Sequence, residues 1–512
     1  MKKLFSDKRF LFSLIAIIFL WGVALRSIEV ITGNYLFGFD VGRDLLVARD
    51  IVVNHKLTLI GAEIGSGSAG INGVFQGPGY YYLLAVVYFL FGGNPYGALL
   101  TMFVFGVVSL ALVYVTVQKI FGQANAIVAL FLAGISPLIV SQSRFVWAPH
   151  PATLFIVLML YFAYMIPKRP RLYVPLALLS AGLTYNFEFA MTVPMVIAIL
   201  IALPLVYRVK DVRTYLYAIG SLVAVFSPMV FFEMRHNWMA TRSLLSYTAS
   251  PGSVGNDIWF LRITDHLGPY IANAANSFIY EHGFIPQQLY AWLCGALLIA
   301  LGILAWKTID RAKRQFFQFC FLLLITSYVV LLGLNNTIWD YYLIHAHFIY
   351  MYVFAYVVVF SFREMRKSMW LKMIFGVLTI FLISMIVSSS WRMMISYTYD
   401  FHDLGGVEKI LGKKIAIDYV YKDAHGQPFS EFTFMAPIYT YPYDYLFQTY
   451  ALHKYGYAPG NQKKGLVYLI IEPDSSKPWT YKGWLETVIV GGKIIKTVTL
   501  PTGHIIQERL FP

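Results

Sequence analysis

The sequence predicts a polytopic α-helical membrane protein of about eleven transmembrane helices, with interfacial helices in the first outer loop and a C-terminal extracytoplasmic α+β domain. Three observations carry that prediction. Of the 512 residues, 58% are hydrophobic and 13% charged, whereas about a quarter are charged in ordinary soluble domains. The apolar residues gather in runs of roughly 17 to 25, the length needed to cross a hydrocarbon core of about 30 Å as a helix. Beyond residue 390 the pattern changes to short β-rich segments separated by turns.

Taken in order, the runs lie at 10–28, 97–117, 124–142, 151–166, 172–187, 190–207, 214–232, 288–306, 316–334, 341–361 and 371–390. The first follows Lys2, Lys3, Lys8 and Arg9 and resembles a signal sequence, but no small-residue cleavage site precedes Arg26. It is therefore read as a retained span. A further apolar run, 80–91, is too short to cross and fits an interfacial or re-entrant helix. Loop charge tests this choice. With 80–91 outside the count, the basic N-terminus shares the cytoplasmic side with Lys168-Arg169-Arg171, Arg208-Lys210-Arg213, Lys307-Arg311-Lys313-Arg314 and Arg363-Arg366-Lys367. Counting it as a span would move all the later basic loops outside, against the positive-inside tendency. The N-terminus is thus expected inside and the C-terminus outside.

This parity gives a transmembrane domain over 1–390 and an extracytoplasmic α+β domain over 391–512. In the latter, strands are expected at 414–421, 429–435, 466–471, 487–490, 494–500 and 505–509, the last two joined by Pro501-Thr502-Gly503, with a Tyr-rich helix over 442–455. The outer face receives residues 29–96, 143–150, 185–189, 233–287 and 335–340, where most of the Asp, Glu and His of the membrane domain lie.

Several functions are excluded or made unattractive. The net charge of +14 sits in short loops between apolar runs, as membrane orientation requires, so no nucleic-acid partner is expected. Cys294 and Cys320 lie inside apolar runs and imply neither a disulfide framework nor a thiolate metal site. No Gly-x-x-x-x-Gly-Lys-Ser/Thr cradle occurs, and Gly65-Ser66-Gly67-Ser68 lacks the following helix that phosphate binding needs.

The first outer loop holds the most informative stretch, Phe39-Asp40-Val41-Gly42-Arg43-Asp44. On a helix, Asp40 and Asp44 share a face and could act on one substrate or metal. A plain helix start, with Asp40 as cap and Arg43 paired to an acid, is the alternative. Glu188, in Tyr185-Asn186-Phe187-Glu188-Phe189, is an acid at a span end, costly unless it faces a wet cavity or a partner. His345 and His347 read more readily as packing or interfacial residues than as ligands.

The early outer-loop Asp, the following Leu45-Leu46-Val47-Ala48-Arg49-Asp50-Ile51, then Gln76-Gly77-Pro78-Gly79-Tyr80-Tyr81-Tyr82-Leu83, Phe121-Gly122, Ser136-Pro137 and Ser143-Arg144-Phe145-Val146-Trp147-Ala148-Pro149 together resemble the GT-C glycosyltransferases. Within them the order resembles the family-39-like enzymes related to protein O-mannosyltransferases and the lipid A aminoarabinose transferase. The resemblance covers roughly the first 170 residues by motif and the remaining spans by architecture. It implies transfer of a sugar from a polyprenyl-phosphate donor within the plasma membrane to an acceptor (protein, lipid or glycan) at its outer face, with Asp40 as general base; beside it, Asp44, Gln76 and Glu188 are candidate substrate-binding residues. Where many relatives carry Lys before the Pro of the second motif, this chain has Gln76-Gly77-Pro78, so Arg43 and Arg144 become the candidates for the carrier phosphate. Relatives often place metal-binding residues in the long outer loop. There Glu233 and His236 could join Asp44 around a divalent cation, or simply end a helix; Asp257, Asp265-His266 and Glu281-His282 are further polar residues of that loop.

A transporter or lipid flippase is the competing class, but it commonly shows repeated halves with acids at matched midplane positions. Here the acids gather on one face and no half-repeat is visible. A non-catalytic scaffold would leave the first-loop acids without a purpose.

Overall fold

The computed structural model describes residues 8–64, 72–249, 259–279, 287–333, 338–364, 369–437, 439–474 and 476–512. Gly65-Ser66-Gly67-Ser68, Asp257, Glu281 and His282 lie outside the described residues. Each of the eleven apolar runs falls on a helix. They occupy α1 (Lys8–Ala24), α4 (Tyr96–Phe121), α5 (Gln123–Ile135), α6 (Ala152–Met165), α7 (Pro170–Leu183), α8 (Phe189–Ala202), α9 (Val212–Arg235), α12 (Gln287–Lys307), α13 (Arg311–Leu331), α14 (Ile344–Glu364) and α15 (Met369–His402). Between α1 and α4 the first long loop forms α2 (Phe39–Val53) and α3 (Gly79–Leu90), which pack on each other. At 12 residues, α3 would reach only about 18 Å and is too short to span. Among the described residues, five helices are long and apolar enough to cross a membrane by themselves, including α4, α9, α13 and the segment Asp340–Glu364.

The helix α14 is the hub. Every residue from Ile344 to Ala355 is buried, as expected of a helix apolar on all faces and surrounded by others. The contact of α1 with α5 is sealed by buried Arg26, whose guanidinium donates to the carbonyls of Gly22 (2.6 Å), Gly134 (2.9 Å) and Ala133 (2.8 Å). The long loop between α9 and α12 contains two helices that the run pattern did not reveal, α10 (Met239–Ala249) and α11 (Trp259–Asn276). Too polar for a span, α11 buries one stripe among its described side chains, Tyr270 and Ala274 in it.

The C-terminal region is α+β, with a four-stranded sheet in the order β1-β2-β4-β3: β1 (Ser430–Phe434), β2 (Gly465–Ile471), β3 (Lys493–Thr499) and β4 (Ile505–Phe511). β1 pairs parallel to β2, and the other pairs are antiparallel. Alternation along β2 sends Val467, Leu469 and Ile471 to one face, beneath Trp484 of α18 (Trp479–Thr487), and Tyr468 and Ile470 to the other. Four of the expected strands are present, and the Tyr-rich segment is helical, beginning with α17 (Tyr441–Leu446). Two expectations are corrected. Residues 414–421 lie in helix α16 (Ile410–Asp423), because the buried positions Ile410, Lys413, Ala416, Ile417 and Val420 recur every three to four residues; the β-branched content masked that period. Residues 487–490 form no strand: the amides of Val488 and Ile489 turn back onto the Trp484 carbonyl at 2.8 and 3.1 Å. The last membrane-domain helix runs on to His402, past the expected domain boundary.

Candidate active site

The helix α2 starts at Gly38, whose backbone is extended, and buries Val41, Leu45, Ala48 and Ile51. Asp40 lies in its first turn, where a carboxylate favours the positive end of the helix dipole. Its side chain is 43% exposed, and that of Asp44 is 2% exposed. Arg43 links the two, with Nη1 at 2.9 Å from Asp40 Oδ1 and Nη2 at 2.8 Å from Asp44 Oδ1, and its guanidinium lies 5.5 Å from the Phe39 ring centre. The acids therefore do not point jointly at a ligand. Asp40 faces outward, and Asp44 anchors Arg43 from behind. Burial pushes the Asp44 carboxyl up to about 6, against the pull of Arg43 and with a smaller push from Asp40. Tyr81 of α3 lies against both Asp44 and Arg43.

The C-terminal region completes one wall. Tyr439 and Tyr441 stack on each other (centroids 5.6 Å apart) and sit 5.4 and 5.2 Å from Phe39. Gly42 makes this approach feasible, since a Cβ there would lie 2.4 Å from Pro442 N and 2.5 Å from Tyr441 C. The sequence reading assigned no role to Tyr439, Tyr441 or Gly42; the one available signal was the tyrosine density of 439–445.

The Gln76-Gly77-Pro78-Gly79 segment joins α3 to the opposite side. The Gln76 amide donates to Ala62 O at 2.9 Å, its carbonyl accepts from Gly61 N at 2.7 Å, and Gly77 N donates to Tyr185 O at 3.0 Å. The amide of Gly79 donates to Asn186 Oδ1 at 2.8 Å, and a Cβ at Gly77 would come within 2.4 Å of that oxygen. The motif's glycines thus serve close packing against the 184–186 turn. Glu188 follows that turn, buried, and caps α8 by accepting from Ala190 N at 3.0 Å. Burial pushes its carboxyl up to about 7. The charges of Glu188 and Asp40 both act on the Tyr341 hydroxyl, and Trp147 packs edge-on to Tyr341 at 4.7 Å. Asp40, Arg43, Asp44 and Tyr81 are therefore direct neighbours, and Tyr341 feels the charge of both Asp40 and Glu188.

Three predicted site residues lie elsewhere in the structure. Arg144 is taken up by Glu29, with Nε at 2.8 Å from Oε1, by Asp400 at 2.5 Å, and by Tyr397, over whose ring it lies at 4.2 Å. It pins the loop after α1 to the end of α15. Glu233 caps α10, accepting from the amides of Ala240 and Thr241 at 2.9 Å each and from Thr241 Oγ1 at 2.6 Å. His236 stacks on Phe232 at 4.1 Å, with Nδ1 2.8 Å from the Phe232 carbonyl oxygen. The expected grouping with Asp44 does not form, because helix capping has already used the Glu233 oxygens. Among the described residues no three His, Cys, Asp or Glu side chains gather closely enough to hold a metal. His345 and His347 are buried, with Nε2 2.9 Å from Ser327 Oγ and 2.5 Å from Asn273 Nδ2 respectively.

Residues 76–232 match the family described as dolichyl-phosphate-mannose-protein mannosyltransferase. No curated relative matches significantly. The fold is similar to that of ArnT from Cupriavidus metallidurans bound to undecaprenyl phosphate, at 12% identity and a TM-score of 0.57 over 97% of each chain. It is also similar to the oligosaccharyltransferase AglB from Archaeoglobus fulgidus in complex with an inhibitory peptide and a dolichol-phosphate, at 14% identity and a TM-score of 0.50 over 97% of this chain and 74% of that one. Over residues 76–232 the chain resembles that family, and over nearly its whole length it shares the fold of these two proteins.

Proposed function

We propose that this protein moves a sugar from a polyprenyl-phosphate carrier to an acceptor at the outer face of the plasma membrane, with Asp40 as general base. The observation that carries the reading is the half-exposed Asp40 beside Arg43, backed by buried Asp44, with Asp40 and Glu188 both acting by charge on Tyr341. In the proposed step an acceptor heteroatom bonds to the anomeric carbon while the bond from that carbon to the carrier phosphate oxygen breaks. Asp40 takes the acceptor proton, and the polyprenyl phosphate leaves with the electron pair. Arg43 is the cation placed to meet the charge growing on that phosphate. Direct displacement inverts the anomeric centre. The expected domain division, catalytic up to 390 and extracytoplasmic beyond it, belongs to the same proposal. Incubating the purified protein with a panel of polyprenyl-phosphate sugars and following release of the lipid phosphate tests it; no release from any hexosyl or pentosyl donor would sink it.

Asp44 gives this reading a pH signature. Above about 6 its carboxylate is ionised and holds Arg43; below, it is neutral and the anchor weakens. kcat/KM is therefore expected to fall as pH drops through about 6, and Asp44→Asn to remove that limb while leaving a uniformly slow enzyme. Unfolding at this residue cannot mimic the effect. A carboxyl whose folded pKa lies above its unfolded value of about 4 costs stability as pH rises between the two, so acid favours the fold there.

Orientation is tested by labelling. The native cysteines are buried, so in intact cells an impermeant thiol reagent is expected to modify Ser476→Cys and to spare Ile309→Cys. Both positions are exposed in the fold. The reverse pattern would place the C-terminal region inside.

A further inference from the structure

Apart from the region around Asp40, the C-terminal region contains a cavity of about 600 Å³, within the roughly 300–1,000 Å³ range of small-molecule sites. β1, α17, the turn after it, the 458–461 loop and α18 line it, and it opens to the surface. Its polar groups are varied and well distributed: the carboxyls of Glu431 and Asp444 and the amides of Gln448 and Asn461, with the rings of Phe447 and Trp484 beside them. Among the described residues that line it, none is Lys, Arg or His, although the chain as a whole carries a charge of +14. Such a lining disfavours phosphate, sulfate and carboxylate ligands. Carboxyl and amide groups spread around aromatic faces suit a ligand with hydroxyls on several sides and C–H faces between them.

We propose that this cavity is a saccharide-binding site that seats the hydroxyl-rich part of the acceptor. Within it, Thr433 donates to Glu431, and Thr440 Oγ1 donates to Asp444 Oδ2 at 3.0 Å, so each acid is oriented and retains a second oxygen for a ligand. Burial, with help from Asp444, pushes the Glu431 carboxyl up to about 8, leaving it protonated near neutrality and able to donate as well as accept. The six-residue helix α17 ties this cavity to the proposed catalytic helix. Thr440 and Asp444 line the cavity, while Tyr441 and Pro442, in the same turn, press on Gly42 of α2. A ligand held at Asp444 is thus held by the element that abuts the turn carrying Asp40.

Only the word acceptor rests on the proposed sugar transfer; binding itself does not. The full chain, labelled with 5-fluorotryptophan and with the Trp484 resonance assigned through Trp484→Phe, is titrated with methyl α-glucoside, glucosamine and glucose 1-phosphate. The first two are expected to shift Trp484 saturably and the anionic sugar to do so much more weakly. Asp444→Asn and Gln448→Ala should each weaken binding by about tenfold, the scale of one lost hydrogen bond to a ligand, while Asp40→Asn should bind as the parent does. No shift with any of the three sugars overturns the proposal, as does tightest binding of glucose 1-phosphate or equal binding by parent and both cavity variants. The two readings fail separately. A protein that binds these sugars but releases no lipid phosphate keeps the cavity and loses the transfer, and one that releases lipid phosphate with Trp484 unmoved does the opposite.

Discussion

Asp40→Asn is expected to lower sugar transfer by about two orders of magnitude or more, the scale on which a general base contributes. Asparagine keeps the shape and the place in the first turn of α2 but cannot take a proton from the acceptor. The fold should tolerate the change. What is lost structurally is one ion pair to Arg43, whose Asp40 partner is 43% exposed, and such pairs contribute about 0–1 kcal/mol. Arg43 also keeps its second contact, Asp44 Oδ1 at 2.8 Å. A thermal melt close to that of the parent together with collapsed turnover is therefore the expected pair of results. Near-normal turnover by the folded variant would remove Asp40 from the mechanism and turn attention to Glu188, the other carboxyl that acts on Tyr341.

The membrane helices were legible because each lies in an apolar run bounded by charge, a signal that depends on local sequence alone, although among the described residues only five helices are long and apolar enough to cross by themselves. α2 was legible for a related reason: the i, i+4 acids and the apolar positions Val41, Leu45 and Ala48 share one helical period. What could not be read was which distant segment meets which. Gly42 is one of 38 glycines, and nothing local marks it as the point where Pro442, four hundred residues on, comes into contact. Arg144 showed the opposite failure. Its place in a motif and at the outer face made it a phosphate candidate, but Glu29 and Asp400, which occupy it, come from two other parts of the chain. The same holds for Glu233, whose partners Ala240 and Thr241 belong to a helix too polar to stand out as a span. Helix α16 reads as a strand in the sequence for a different reason, since Ile415, Ile417, Tyr419 and Tyr421 satisfy a two-residue period as well as a helical one, and burial decides between them only once the fold is known.

Arg144 supplies the second large effect, on stability and not on donor binding. Its side chain is 14% exposed and that of Glu29 9%, and burial already raises the Glu29 carboxyl pKa against the opposing influence of Arg144. Arg144→Ala leaves Glu29 and Asp400 without this guanidinium, and removing one partner of a buried pair costs about 3–5 kcal/mol. Asp400 retains Lys409 at 3.0 Å, so the loss falls mainly on Glu29. Arg144→Lys keeps the charge but not the planar fork that reaches both Glu29 oxygens, and should melt between parent and alanine variant. Removing both charges together, Arg144→Met with Glu29→Gln, should recover much of the deficit, because the uncompensated carboxylate is then gone. Through this series the donor KM of the folded protein is expected to stay within about twofold, since an interaction absent from the bound substrate cannot change its binding. A donor KM that rises several-fold in Arg144→Lys at an unchanged melting temperature would show that the guanidinium leaves Glu29 to meet the carrier phosphate. The pin between the loop after α1 and α15 would then be a resting state of a phosphate-binding residue.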